Sequence, residues 1–333
     1  MLHARAYSGG GMVQATRILP FDDKAIAEAA RLISKGEPVA VPTETVYGLA
    51  ADAQNAEAVA RIYEAKGRPS FNPLIVHVPD LVAAERIGDF SNDARRLAKQ
   101  HWPGPLTIVV PVKTDAAIAS LVSAGLPTIA LRVPAHPAMQ ALLRATGRPL
   151  AAPSANASGS ISPTRAEHVL KSLGGRIPLI VDAGLTDRGI ESTIVAATGG
   201  SLRLLRRGPV QIADALEEDS GTIEAPGQLE SHYAPSKPVR LNVSGADDDE
   251  FLIGFGALNG DANLSASGDL VEAAARLFDL LHVADASAKQ RIAFASVPDE
   301  GLGAAINDRM FSGCVVAAVQ VMPPSVERDT PAS

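Results

Sequence analysis

Several short stretches of the 333-residue chain carry side chains whose types and spacing could do chemistry. Pro42-Thr43-Glu44-Thr45-Val46-Tyr47-Gly48 follows a short apolar run. Proline cannot continue a central ladder, so the strand should stop there and present two hydroxyls and a carboxylate at its carboxyl end, where open α/β sheets bind ligands. A threonine-rich turn is the plainer reading of the same residues. Lys66-Gly67-Arg68-Pro69-Ser70-Phe71-Asn72-Pro73 sets two cations either side of a glycine, ahead of a loop stiffened by two prolines. A polyanion would suit that arrangement, with arginine as a planar fork and lysine as a mobile point charge. Cations finishing a helix explain Lys66 without any ligand, and explain Arg68 less well.

Arg132 closes the apolar run before Val133-Pro134. A guanidinium in that position either takes a ligand carboxylate in bidentate fashion or pairs with an acid of the fold, because burial unpaired is costly. Ala152-Pro153-Ser154-Ala155-Asn156-Ala157-Ser158-Gly159, followed by Ser162-Pro163-Thr164, has the composition of an anion cradle and equally of an ordinary Ser/Asn loop. No GxxxxGK[ST] is present. Glu191-Ser192-Thr193 opens one strand-like run and Arg206-Arg207-Gly208-Pro209 closes the next. His232-Tyr233-Ala234-Pro235 places two rings inside a linker-like segment. Together these clusters suggest a pocket for a nucleotide and an anion.

The elements that must position them alternate. Strand-like runs near 38–41, 73–78, 106–112, 128–133, 178–181, 192–195 and 202–205 are separated by helical stretches such as AEAVARIYEAK, SNDARRLAKQ, HPAMQALLRATG and TRAEHVLKSLGG. Thr164 and Glu167 have capping-box spacing, and Gly174 is placed as the C′ residue of that helix. The fold expected is α/β, of α+β type: a twisted, mixed open sheet with helices on its faces. Residues 1–17 read as a flexible leader, 18–224 as the catalytic domain, and 225–239, with three prolines, as a linker. Residues 240–310 read as a small Rossmann-like α/β domain and 311–333 as an atypical tail. Met12 is an alternative start.

Charge follows the same division. The chain carries −7 overall, but residues 1–224 hold 23 Lys+Arg and 22 Asp+Glu, while residues 225–333 hold 7 and 15. Near-neutrality in the first part argues against phosphate-driven coating of nucleic acid. The single cysteine, Cys314, makes no intramolecular disulfide, and the seven histidines never fall in HxxxH or HExxH spacing, so no dedicated zinc site is expected. With no apolar run of 18 residues, no membrane span is expected either, and the cytoplasm is the expected location.

Taken in order, PTETVYGL, KGRPSFNPLIVHV, WPGPLTIV, ALRVP, APSANASG, STIV and the Arg-Gly-Pro strand end resemble the L-threonylcarbamoyladenylate synthase family, the YrdC-type domain. The HYAP segment and GLGAAINDRM are similar to its two-domain form. The resemblance implies a nucleotidyltransferase that joins L-threonine, bicarbonate and ATP into threonylcarbamoyl-AMP and pyrophosphate, with Mg²⁺ arriving on the nucleotide. The product would pass to a separate transferase that modifies tRNA. Carried over, Thr43 or Thr45, His77, Arg132 and Ser192 would line the threonine side. Lys66, Arg68, Asn72, Thr128, Ser154, Asn156, Ser162 and Arg206 would line the ATP and bicarbonate side, with Lys66 and Arg68 acting on developing charge. Tyr233, with His232 beside it, would fold over the nucleotide.

Three departures stand out. Arg207 occupies a position where the family commonly has proline, Gln228-Leu229-Glu230-Ser231 replaces basic and aromatic residues, and the chain runs on past Met310. The chief alternative is an RNA-binding module of YrdC-like fold without synthase activity, making at most weak RNA contact. A carbamoyl-transfer enzyme of hydrogenase maturation shares the domain but requires zinc fingers that one cysteine cannot supply.

Overall fold

The computed structural model describes residues 15–69, 72–213, 215–217 and 234–314. His232, Tyr233, Ser70 and Phe71 lie outside the described residues, as do the leader before residue 15 and the tail after 314. Two compact units are present, one of residues 1–158 with 162–229 and the other of 230–333 with 159–161, so the division falls inside the 225–239 segment.

The first unit opens with β1 (Arg17–Pro20), α1 (Asp23–Ser34), β2 (Val39–Pro42), β3 (Tyr47–Asp52), α2 (Ala56–Lys66) and β4 (Ile75–His77). It continues through α3 (Leu81–Glu85), α4 (Asn92–His101), β5 (Leu106–Pro111), α5 (Ser120–Ser123), β6 (Thr128–Arg132) and α6 (Pro137–Thr146). It ends with β7 (Leu150–Ala151), α7 (Ala166–Leu173), β8 (Leu179–Asp182), β9 (Thr193–Ala196), β10 (Arg203–Arg206) and β11 (Leu216–Glu217). Its strands form one mixed sheet in the order β1-β8-β2-β3-β7-β4-β6-β5-β9-β10-β11. This is the mixed sheet-and-helix architecture expected.

Alternation along the strands gives the central sheet two unlike faces. Val76, Leu106, Ile108, Val110, Ile129, Leu131 and Val195 point into the main core beneath α2 and α4, with Ile62 and Leu97. Their neighbours Ile75, Val109, Ala130, Ile194 and Ala196 form a smaller apolar cluster on the opposite face. Parity and register put Thr128, Arg132, His77 and Thr107 on that second face, since His77 stands opposite Arg132 and Thr107 opposite Ile194.

Local signals fix several elements. Asn55 caps α2 by accepting from Glu57 and Ala58 amides, and Gly67 ends it at φ 59°, a left-handed position that favours glycine. The expected capping box of α7 is not formed. The helix starts at Ala166 with Arg165 as its cap and no side-chain cap bond, while Thr164 meets His168 Nδ1 through its amide at 3.3 Å. Thr164 is held elsewhere, because its carbonyl accepts from the Thr186 amide and Pro163 accepts from Tyr47. Nor does Gly174 take the left-handed C′ position: its φ is −53°, and Gly175 takes the positive φ of 78° instead.

The second unit has β12 (Val239–Val243), β13 (Glu250–Gly254), β14 (Ala262–Asn263), α8 (Leu270–Ala286), β15 (Arg291–Ala295) and α9 (Leu302–Cys314). Its four strands are all parallel, in the order β12-β15-β13-β14. The last helix runs four residues past Met310, so the GLGAAINDRM helix is longer than its motif and includes Cys314. The acidic run 247–250 is tied down locally: Arg240 reaches Glu250 at 2.5 Å, and Arg291 reaches Asp249 at 2.7 Å and Asp247 at 3.1 Å. Unit-wide acidity is thus partly spent on internal pairs.

Candidate active site

Residues 43–46 are the turn between β2 and β3, an antiparallel hairpin in which Pro42 pairs with Tyr47. The plainer reading of this stretch therefore holds: it is a threonine turn, and the fold sets it beside Arg132. The Thr43 hydroxyl donates to the Val46 carbonyl at 2.7 Å and lies 2.8 Å from the Thr45 hydroxyl. Arg132 Nη1 donates to Thr45 Oγ1 at 3.0 Å. Because Thr43 has spent its proton, the chain has one direction, from Arg132 to Thr45 to Thr43 to Val46. The two threonine hydroxyls support Arg132.

Arg132 itself is 4% exposed and donates from Nη2 to Glu44 Oε1 at 2.7 Å and from Nε to the Gly104 carbonyl at 3.3 Å. Three of its five N–H donors are used, and each terminal nitrogen keeps one for a further acceptor. Glu44 Oε2 accepts from the Ala135 and His136 amides at 3.0 and 3.3 Å. Burial pushes the Glu44 carboxyl up, but the Arg132 charge and these bonds outweigh it and hold it below the usual carboxylate range.

His77 stands beside Arg132 on the adjacent strand, 2% exposed, and among the described residues neither ring nitrogen has a hydrogen-bond partner. Burial, helped by the Arg132 charge, pushes its pKa down to about 3, so the ring is neutral throughout the physiological range. A folded-state value below that of the unfolded chain adds stability above about pH 6.5, and that stability is lost as pH falls toward 3. We expect the unfolding free energy of the wild-type chain, measured by urea titration, to fall by up to about 1.4 kcal/mol per pH unit from this one group, and His77→Leu to remove most of the slope between about pH 6.5 and 4.5, above the range where the carboxylates titrate. An unchanged slope would mean that His77 is hydrated in the folded chain.

At the same end of the sheet, Ser192 Oγ lies 2.7 Å from Thr107 Oγ1. Arg206 donates from Nη2 to Ser192 Oγ at 3.1 Å and from Nε to the Ser192 carbonyl at 3.0 Å. Arg206 is therefore bonded to the threonine-side serine, although the resemblance puts it with the nucleotide. Gly208 makes this possible, since a Cβ there would stand 2.4 Å from the Thr193 nitrogen and 2.8 Å from the Glu191 carbonyl. Ser162, fully buried, donates to Glu191 Oε1 at 2.5 Å.

A second group gathers toward the start of β4. The Lys66 ammonium, buried where α2 ends, donates to the Ser154 and Asn156 carbonyls at 2.6 and 2.5 Å. Burial, reinforced by Arg68, pushes its pKa well below the ordinary lysine value. Arg68 donates to the Asn72 and Pro73 carbonyls at 3.3 and 3.0 Å. Asn72 is fully buried, and among the described residues neither its side-chain nitrogen nor its side-chain oxygen has a partner. The Ser154 loop is stitched between β3 and β4 through Gly48 and Ile75. Thr128 opens β6 four residues before Arg132, about 13 Å away at ~3.3 Å per residue. The carried-over residues thus divide along the strand direction. Lys66, Arg68, Asn72, Ser154, Asn156 and Thr128 lie toward one end, and His77, Arg132, Ser192 and Arg206 at the other.

Sequence reasoning missed two contributors. Glu44 sat in a quoted cluster without a role, because its partner lies 88 residues away. Thr107 is the one hydroxyl in the apolar strand LTIVVP, and its alternation with Val109 was the available signal.

Residues 31–208 match the family model described as telomere recombination (Sua5, YciO and YrdC), and residues 201–311 match the C-terminal domain of threonylcarbamoyl-AMP synthase. The chain belongs to the threonylcarbamoyl-AMP synthase family. The Bacillus subtilis threonylcarbamoyl-AMP synthase is 40% identical to it over 90% of this chain and 95% of its own. The Pyrococcus abyssi enzyme of that name is 38% identical over 85% and 92%. A crystal structure of P. abyssi Sua5 complexed with L-threonine superposes with a TM-score of 0.82, at 35% identity, covering 90% of this chain and 98% of that one. Both units of the present chain thus have counterparts in the two-domain synthases.

Proposed function

We propose that the chain makes threonylcarbamoyl-AMP from L-threonine, bicarbonate and ATP, releasing pyrophosphate. The observation that carries this reading is the set of unspent polar groups on or beside one sheet face. Among the described residues two buried side chains, His77 and Asn72, have no hydrogen-bond partner, and Arg132 keeps an N–H on each terminal nitrogen. Leaving such groups unpaired costs about 1–3 kcal/mol each, which a bound polar ligand would recover.

In this reading Arg132 holds the threonine carboxylate as a fork, and neutral His77 accepts from the amine, with Ser192 nearby. The ammonium first gives a proton to water, and the free amine then attacks the carbon of bicarbonate to give a carbamate and water. A carbamate oxygen then attacks the α-phosphorus and pyrophosphate leaves. The chain needs no nucleophile of its own. Its task is to align the reactants and stabilise developing charge, with the Lys66-pinned Ser154–Asn156 loop, Arg68, Asn72 and Thr128 on the nucleotide side, and Ser162 and Arg206, bonded to Glu191 and Ser192, where the two ligands meet. Mg²⁺ would come with ATP, held largely by its phosphates and water, and would offset their charge there. Tyr233 and His232 complete the nucleotide side in this proposal, and the product passes to a separate tRNA-modifying transferase in the cytoplasm.

The RNA-binding alternative is less well supported, because relatives matched over nearly the whole chain are named as synthases and the first 224 residues carry a net charge of only +1. Incubation with ATP, L-threonine and ¹³C-bicarbonate should give one adenylate carrying both threonine and the ¹³C carbonyl. An adenylate without the label would overturn the proposed reaction.

A further inference from the structure

We propose that Glu44 sets the net charge of the amino-acid pocket and so selects a zwitterion over an anion, an inference that rests on reading Arg132 and His77 as the amino-acid site. The pair is dry, with side-chain exposures of 4% for Arg132 and 7% for Glu44. Each carboxylate oxygen is engaged: Oε1 by Arg132, and Oε2 by the amides of Ala135 and His136. The Glu44 carbonyl accepts from the Arg188 amide at 2.8 Å. Glu44 is therefore fixed from three directions and cannot swing away to admit a second carboxylate in its place.

The charges decide the consequence. Arg132 and Arg206 contribute +1 each, Glu44 and Glu191 contribute −1 each and neutral His77 contributes nothing, so the protein side of the pocket sums to zero. An amino acid brings a carboxylate for the remaining guanidinium N–H groups and an ammonium that offsets it, and the sum stays zero. A carboxylate of the same shape without the ammonium would leave one uncompensated negative charge in a buried site, where charge is poorly screened. Without Glu44 the balance inverts, because Arg132 alone is then neutralised best by an anion. Arg132 supplies carboxylate affinity, and Glu44 makes that affinity conditional on the ammonium.

Two probes isolate the effect: L-threonine, and 3-hydroxybutyrate, which keeps the carboxylate and the β-hydroxyl but lacks the amine. Calorimetry on the full-length chain should show the wild type preferring threonine by at least 100-fold. Glu44→Gln, which keeps the shape and an acceptor but not the charge, should shrink that ratio at least tenfold, with 3-hydroxybutyrate affinity held or raised. Glu44→Asp, which keeps the charge, should weaken both ligands yet leave their ratio within threefold of wild type. Parallel loss of both ligands in Glu44→Gln, or an unchanged ratio, would overturn the selection role and leave Glu44 as a brace for Arg132. Should circular dichroism show Glu44→Gln unfolded, the Asp variant decides: a retained ratio supports the proposal and a collapsed ratio contradicts it. Failure of the wild type to bind threonine is a separate result, which overturns the pocket assignment itself.

Discussion

Arg132→Ala should raise the threonine KM at least 100-fold and lower the stability of the chain by about 3–5 kcal/mol. The two effects have different sources. If Arg132 holds the substrate carboxylate as proposed, removing the guanidinium forfeits two charge-assisted bonds, each worth about 1.5–3 kcal/mol. It also leaves the Glu44 carboxylate buried with only amide donors, and breaks the hydroxyl relay through Thr45 and Thr43. Arg132→Lys separates them. A lysine keeps the charge beside Glu44 and so should retain much of the stability, but it cannot reproduce the fork and should still lose at least tenfold in threonine affinity. Steady-state kinetics with thermal unfolding of both variants checks this, and an unchanged threonine dependence in Arg132→Ala would remove Arg132 from the substrate site.

The second large effect is expected at Lys66. Its ammonium joins the end of α2 to the Ser154 and Asn156 carbonyls, so Lys66→Met takes a charged donor away from both. We expect a loss of about 2–4 kcal/mol in unfolding free energy, on the basis of about 1–3 kcal/mol for each unmade bond. The ATP KM should rise at least tenfold because the Ser154–Asn156 loop loses its anchor, while calorimetric threonine affinity stays within about threefold. That split distinguishes a residue shaping the nucleotide loop from one whose loss merely unfolds the domain. Equal damage to threonine and ATP binding would contradict it.

How far the sequence foretold this depends on whether the deciding contacts are local. α2 was legible to the residue, because an Asn cap, an apolar period and a terminal glycine all lie within a dozen positions. β6 was legible because Thr128–Arg132 is apolar and ends on a cation. β3 was not, since Tyr-Gly-Leu-Ala-Ala-Asp has weak strand propensity and is held by pairing with β2 and β7. The Thr164 capping box failed for the same reason, as bonds to residues distant in the chain overrode a short-range pattern. In the site, residue types and order were enough to gather His77, Arg132, Ser192 and Asn72 by resemblance. What they could not give was which acid completes Arg132, or that Lys66 gives two of its three donors to main-chain carbonyls, because both depend on which strands become neighbours.

The central claim is that one sheet face holds threonine at the Arg132 end and ATP toward the other, and that the two react there through bicarbonate. Its most direct test is the threonine dependence of pyrophosphate release from ATP in the presence of bicarbonate. The account predicts release that saturates with L-threonine, is negligible without it and collapses in Arg132→Ala. Pyrophosphate released at the same rate with and without threonine would contradict it.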